Sequence, residues 1–183
     1  LKSKYPFRIA HGVREYTETF IVSLSEGDYT GYGEATPVPY YGVTPQNMQA
    51  LVDEFKFEIE NTALDTPSEY WQKLNPLIGH NHFLQCAIDI AAYDLWAKKQ
   101  HKPLYQILGL NTQNVPFSDY TIGLDDIPTM IHKLKEFDFP IYKIKLGTPH
   151  DLEIVKTLRK ETDAVFRVDA NCGWTVEETI KNA

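Results

Sequence analysis

Apolar residues recur along this chain with two different periods, and the order of those periods changes near its middle. From Thr17 to Leu24 the pattern alternates, with Phe20, Val22 and Leu24 on one face, and Tyr29–Ala35 follows the polar segment Ser25-Glu26-Gly27-Asp28. Two runs of period two around a glycine-bearing turn predict an antiparallel β-hairpin. Helical spacing then takes over. Thr44-Pro45 supplies an N-cap and a proline at the first helical position before Met48, Leu51, Val52, Phe55 and Ile59, which predicts one helix across them. Thr66 and Glu69 form a capping box ahead of a helix to about Ile78. Leu84, Ile88, Ala91, Ala92 and Leu95 describe a longer helix from Asn81 to about Gln100, and Lys102-Pro103-Leu104 opens one more turn closed by Gly109.

Beyond this point short apolar runs alternate with amphipathic segments. Val115–Ile122 reads as a strand, a helix follows from about Asp126, Ile141–Leu146 is a second strand, a helix follows from about His150, and Val165–Asp169 is a third strand. Such a βαβαβ run predicts parallel strands joined by helical crossovers. A further helix begins at Thr175 and the sequence stops inside it, leaving Val165–Asp169 as an open parallel edge. A closed (β/α)8 barrel takes eight such units and roughly 250 residues, so three units read as a truncated barrel. The predicted organisation is an α+β domain over 1–112 and the first three βα units of a barrel over 113–183.

Composition narrows the classes of function. Twenty-five acidic against 18 basic residues give a formal net charge of -7, and no basic cluster exceeds Lys98-Lys99, which argues against a nucleic-acid partner. The apolar stretch Ala87–Trp96 is interrupted by Asp89 and Asp94, and nothing approaches the roughly 20 apolar residues of a membrane span. Two cysteines without paired spacing and no signal peptide before Leu1 suggest a soluble protein of a reducing cytoplasm.

Three short constellations can carry chemistry. In Lys143-Ile144-Lys145-Leu146-Gly147 the strand period puts both ammonium groups on one face at the carboxyl end of a parallel strand. Mutual repulsion there lowers the pKa of one amine toward that of a base; the plainer reading is two lysines on the wet side of a strand. In Arg167-Val168-Asp169-Ala170-Asn171, one βα unit later, Asp169 falls at the carboxyl end of its strand, where barrels place catalytic groups. A carboxylate there suits a hard cation such as Mg2+, and the alternatives are a helix cap or a pair with Arg167. Adjacent parallel strands bring the lysines and Asp169 to one mouth. Gly31-Tyr32-Gly33-Glu34-Ala35 lacks the third glycine and the following helix of a dinucleotide fingerprint and reads as a tightly twisted hairpin.

Other residues are weaker candidates. His80-Asn81-His82 has a spacing that points imidazoles apart on a helix, so Asn81 is read as an N-cap rather than part of a metal site. His11 lies in a polar loop where it can meet a ligand or simply solvent. Tyr40-Tyr41-Gly42 is an exposed turn that can act as a lid. Trp174 is expected to pack the next helix, and Cys86 and Cys172 to be buried or incidental thiols.

Pro6-Phe7, Gly31-Tyr-Gly-Glu-Ala35, Ala87-Ile-Asp-Ile-Ala-Ala-Tyr-Asp-Leu-Trp96, Pro103-Leu104-Tyr105, Leu108-Gly109, Lys143-Ile-Lys145 and Asp169-Ala-Asn171 occur in this order along the chain. Their combination resembles the muconate-lactonizing-enzyme subgroup of the enolase superfamily. Tyr120-Thr121-Ile122-Gly123, with Val168-Asp-Ala-Asn-Cys-Gly-Trp174, is most similar to the dipeptide epimerases. The resemblance implies an α+β capping domain over a modified (β/α)8, TIM-type barrel. It also implies a reaction in which a base takes the proton α to a carboxylate while Mg2+ stabilises the enediolate. Carried over, Lys145 is the base on one face, Lys143 depresses its pKa and helps hold the carboxylate, and Asp169 is the first metal ligand. Asn171 orients the site, Thr121 lines the substrate pocket, and the loops at His11 and Tyr40-Tyr41 close over a dipeptide substrate. The family's other two metal carboxylates and its opposite-face lysine belong to later strands, so the 183-residue chain alone is expected to bind Mg2+ poorly and to be inactive.

Epimerases for an acidic second residue use a cation in the loop after Pro-Phe. This sequence has His11-Gly12 there with Arg14 nearby, which favours a neutral dipeptide such as Ala-Ala over Ala-Glu. An o-succinylbenzoate synthase or muconate cycloisomerase would share the first proton abstraction. A non-catalytic binding or assembly domain is the reading for a naturally short chain, and capped barrels of this kind are often homo-oligomers.

Overall fold

Each helix start that the sequence marks with a small polar residue is capped as expected. In the computed structural model, which describes residues 1–182, Thr44, Thr66, Asn81 and Asp126 each accept a hydrogen bond from a backbone N–H of the first turn. These caps open α1 (Pro45–Glu54), α3 (Pro67–Ile78), α4 (His82–Lys99) and α6 (Ile127–Glu136). The helix expected to run through Ile59 breaks at Phe55, and α2 (Lys56–Asn61) continues from there. Phe55 and Ile59 both remain in the core across the break. The turn Pro39–Tyr41 is 3-10, and α5 (Leu104–Ile107) is a single turn.

The chain divides into two units. The first holds Glu18–Asn114 with Leu1, and the second joins Lys2–Thr17 to the residues from Val115 onward. In the first unit β3 (Phe20–Glu26) and β4 (Tyr29–Ala35) form the expected antiparallel hairpin, turning at Gly27-Asp28. Phe20, Val22 and Leu24 pack toward the core, whose centre is Met48, Leu74, Ile78, Leu84, Ala87 and Ile88. β4 lies directly against α4. A Cβ on Gly33 would stand 1.9 Å from the Ala87 carbonyl oxygen, and one on Gly31 would stand 2.2 Å from that of Ala91, so only glycine permits this approach.

The second unit contains a hairpin that the sequence reading missed, β1 (Lys2–Ile9) with β2 (Gly12–Tyr16). Lys4 and Tyr5 bond Glu136, and the Arg8 carbonyl accepts the Leu124 N–H at 3.0 Å, tying the hairpin to the second unit. Three parallel strands follow in the order β5 (Tyr120–Ile122), β6 (Ile141–Lys145), β7 (Val165–Asp169), separated by α6 and α7 (Asp151–Arg159), with α8 (Val176–Asn182) last. β5 is shorter than the expected Val115–Ile122: Pro116 has no N–H to give a ladder, and Val115 and Phe117 are exposed. Ile122, Tyr142 and Ile144 on one face of this sheet are buried with Met130, Leu134, Ile154 and Leu158. The Tyr142 hydroxyl donates to the Phe137 carbonyl at 2.6 Å and accepts the Phe139 N–H at 3.0 Å, so its burial leaves no polar atom stranded. No helix among the described residues is long and apolar enough to cross a membrane.

Candidate functional site

The opposite face of the parallel sheet is charged. In register, Thr121 stands beside Lys143 and Lys143 beside Arg167, while Lys145 stands beside Asp169 at the carboxyl end. The strand period dictates this: alternate residues face α6 and α7 and must be apolar, which leaves Thr121, Lys143, Lys145, Arg167 and Asp169 for the other side. Lys145 is buried, yet its Nζ donates to Asp169 Oδ2 at 2.9 Å and to Asn171 Oδ1 at 3.0 Å. Lys143 Nζ also reaches Asp169 Oδ2, at 2.9 Å. Asp169 Oδ1 accepts the Asn171 N–H at 2.9 Å. The phenyl ring of Phe7 lies 5.9 Å from Lys145 Nζ, within range of a cation–π attraction.

Asp169 lies between the two lysines, and its hydrogen bond holds the Lys143 ammonium above its ordinary range. The two ammonium groups, Lys143 first, and the Asn171 N–H in turn hold the Asp169 carboxyl far below the usual carboxylate range. Arg167 does not pair with Asp169. Its guanidinium donates to Asp119 Oδ2 at 2.9 Å, forming a second ion pair farther from the strand ends.

The remaining predicted residues are placed differently. Thr121 lines a cavity of about 320 Å³ with Phe7, Arg14, Tyr120 and Lys133. His11 is exposed in the β1–β2 turn. Tyr40 and Tyr41 belong to the first unit, exposed and packed edge to face at 5.0 Å, with Tyr41 also against Phe83. Cys86 and Cys172 are exposed rather than buried. Trp174 donates from Nε1 to Asp151 Oδ2, in the first turn of α7, at 2.6 Å and packs against the core of the second unit. Phe7 and Asp151 escaped the sequence reading because their roles depend on contacts distant along the chain, although Asp151 carried a local signal as an acid opening a helix.

The donor set bears on metal binding. Mg2+ takes several oxygen ligands, and the described residues hold no group of three or more acidic, histidine or cysteine side chains able to share an ion. Among the described residues, Asp169 is the carboxylate that stands with the two lysines at the strand ends.

Comparison with known proteins sets this geometry in context. A model of the mandelate racemase / muconate lactonizing enzyme N-terminal domain matches residues 1–109. The L-Ala-D/L-amino acid epimerase of Flavobacterium johnsoniae is 45% identical over 183 residues, covering 100% of this chain and 54% of that protein. The dipeptide epimerase from Enterococcus faecalis V583, complexed with Mg and L-Leu-L-Tyr, superposes with a TM-score of 0.83 at 31% identity, covering 98% of this chain and 53% of that one. The L-Ala-D/L-Glu epimerase from Bacillus subtilis, in a substrate-liganded complex, gives 0.83 at 26% identity, covering 98% and 53%. The chain spans about half the length of the curated relatives it matches. With the α+β hairpin-and-helix unit and the start of a parallel barrel both present, the chain belongs to the mandelate racemase / muconate lactonizing enzyme family.

Proposed function

We propose that the protein carrying this chain is a Mg2+-dependent dipeptide epimerase, in which Lys145 takes the proton α to the C-terminal carboxylate of a dipeptide. The observation that carries this reading is the placement of Lys145, Asp169 and Asn171 within hydrogen-bond reach at the carboxyl ends of β6 and β7. The match to an epimerase at 45% identity, over the whole of this chain and 54% of that protein, supports it. Lys145, in its neutral form, is the base on one face of the substrate. Lys143 remains charged beside it and attracts the substrate carboxylate, and Asn171 keeps the Lys145 amine aimed. Asp169 would contribute one oxygen ligand to Mg2+, which when bound supplies positive charge against the charge developing on the substrate carboxylate. Thr121 lines the side-chain pocket, and His11, in the β1–β2 turn of the same unit, closes over the dipeptide.

For substrate class we favour a dipeptide with a neutral second residue, because the turn after Pro6-Phe7 carries His11-Gly12. Comparing kcat/KM for Ala-Ala and Ala-Glu tests this; a strong preference for Ala-Glu would instead assign the cation to Arg14, which lines the same cavity as Thr121. The central test is exchange of the α-proton with solvent deuterium by the full-length protein. Exchange is expected with a dipeptide mixture, and Lys145→Ala is expected to lose at least about 10²-fold of it. No exchange in the intact enzyme, or full activity in Lys145→Ala, would overturn the reading.

A further inference from the structure

We propose that Asp151 and Trp174 form a brace that positions Lys145 and Asn171 for proton transfer, an inference resting on the epimerase reading above. Asp151 is 3% exposed, yet its carboxylate accepts four hydrogen bonds. Oδ1 takes the Thr148 N–H at 2.9 Å and the Thr148 hydroxyl at 2.8 Å; Oδ2 takes the Gly147 N–H at 2.9 Å and Trp174 Nε1–H at 2.6 Å. One side chain thus holds both loops that leave the site. Gly147 lies just beyond Lys145, and Trp174 just beyond Asn171.

The second loop needs such support. Asn171 and Cys172 have φ of 48° and 60°, a left-handed conformation that residues other than glycine hold only where their surroundings over-determine it. The turn is closed on one side by the Asn171 N–H to Asp169 Oδ1 and the Gly173 N–H to the Ala170 carbonyl. The Trp174 bond to Asp151 anchors its far side.

The two loops also touch through backbone. A Cβ on Gly147 would stand 2.9 Å from the Ala170 oxygen and 2.7 Å from Ala10 Cβ, and one on Gly173 would stand 2.9 Å from Gly147 Cα. A shift of either loop is therefore passed to the other, and so to Lys145 and Asn171. Neither Asp151 nor Trp174 contacts the amine itself, so both are positioning residues. Catalytic groups need placement to within about 0.5 Å.

The test uses the full-length protein and measures α-deuterium wash-in separately from the two epimers of one dipeptide. Trp174→Phe keeps the ring and removes only the N–H donor. Lys145 serves one face of the substrate, so exchange from the epimer presenting its proton to Lys145 is expected to slow about 10- to 100-fold, with the other epimer within about twofold and the thermal midpoint unchanged. Asp151→Asn, which sets an amide N–H against the loop donors, is expected to show the same asymmetry more strongly. Equal slowing from both epimers would reduce the pair to a structural role, and no slowing from either would show that no brace exists; both results overturn the inference. Lys145→Ala separates the two levels. If it leaves exchange from both epimers intact, the epimerase reading falls with the inference. If it abolishes exchange from one epimer while Trp174→Phe changes nothing, the inference alone falls.

Discussion

The two units put opposite demands on their sheets. In the first, the hairpin β3–β4 carries glycine and small apolar residues to a helix it nearly touches, and the charges that meet there, Lys99 with Glu26, Asp94 with the Tyr32 N–H and Lys98 with the Thr30 carbonyl, lie on the exposed rim of that contact. In the second, the parallel sheet is apolar only toward α6 and α7, and its other face carries Lys143, Lys145, Arg167 and Asp169, balanced among themselves and by Asp119. Burying charges is expensive unless each is paired. The contrast separates a surface built for close packing from one that retains ionisable groups at a packing cost.

Substitutions that exchange these demands should break the contrast most visibly. Gly33→Val has the largest expected effect on stability, because its Cβ would fall on the Ala87 carbonyl; a loss of about 3 kcal/mol or more should appear in the urea midpoint. A result near zero would mean that hairpin and helix separate freely.

Acid sharpens the comparison from the other side. Burial pushes Asp151 up, but the Gly147 N–H, the Thr148 hydroxyl, Trp174 and the Thr148 N–H together hold it below its ordinary 3.8. A carboxyl depressed in the folded state contributes stability that is complete above its unfolded pKa and is lost as pH falls through the folded one. The gap in urea midpoint between the parent and Asp151→Asn should thus be flat from about pH 7 to about pH 5 and should narrow toward about pH 3. A gap that widens in acid would reverse the assigned sign. The smallest change is Thr66→Ala, which removes one cap to the Glu69 N–H and should cost about 1 kcal/mol in a denaturant titration.

Much of this fold was legible because its signals are local. Gly27-Asp28 between alternating runs marks β3–β4, and Thr44, Thr66, Asn81 and Asp126 mark helix starts through bonds that span three residues. The β1–β2 hairpin was not legible: Lys2–Ile9 has a proline within it and mixes exposed with half-buried positions without a clean apolar face, and its place is set by Glu136, more than a hundred residues away. The site shows the same division. Period two and strand order bring Lys145 beside Asp169, but not the partner each charge selects. That Arg167 turns to Asp119, and that Asp169 is shared by both lysines, are facts of tertiary packing. Trp174 is the same kind of case, since its bond to Asp151 spans 23 residues of sequence.

The paired glycines of β4 also have a meaning for descent. Gly31 and Gly33 lie two positions apart on one face of the strand, opposite Ala91 and Ala87 on a single helix. A side chain gained at either would push the helix off both, so neither position can drift while the other stays fixed. Lineages that keep this spacing should keep both glycines, and lineages that lose one should show a re-spaced helix and freedom to vary at the second.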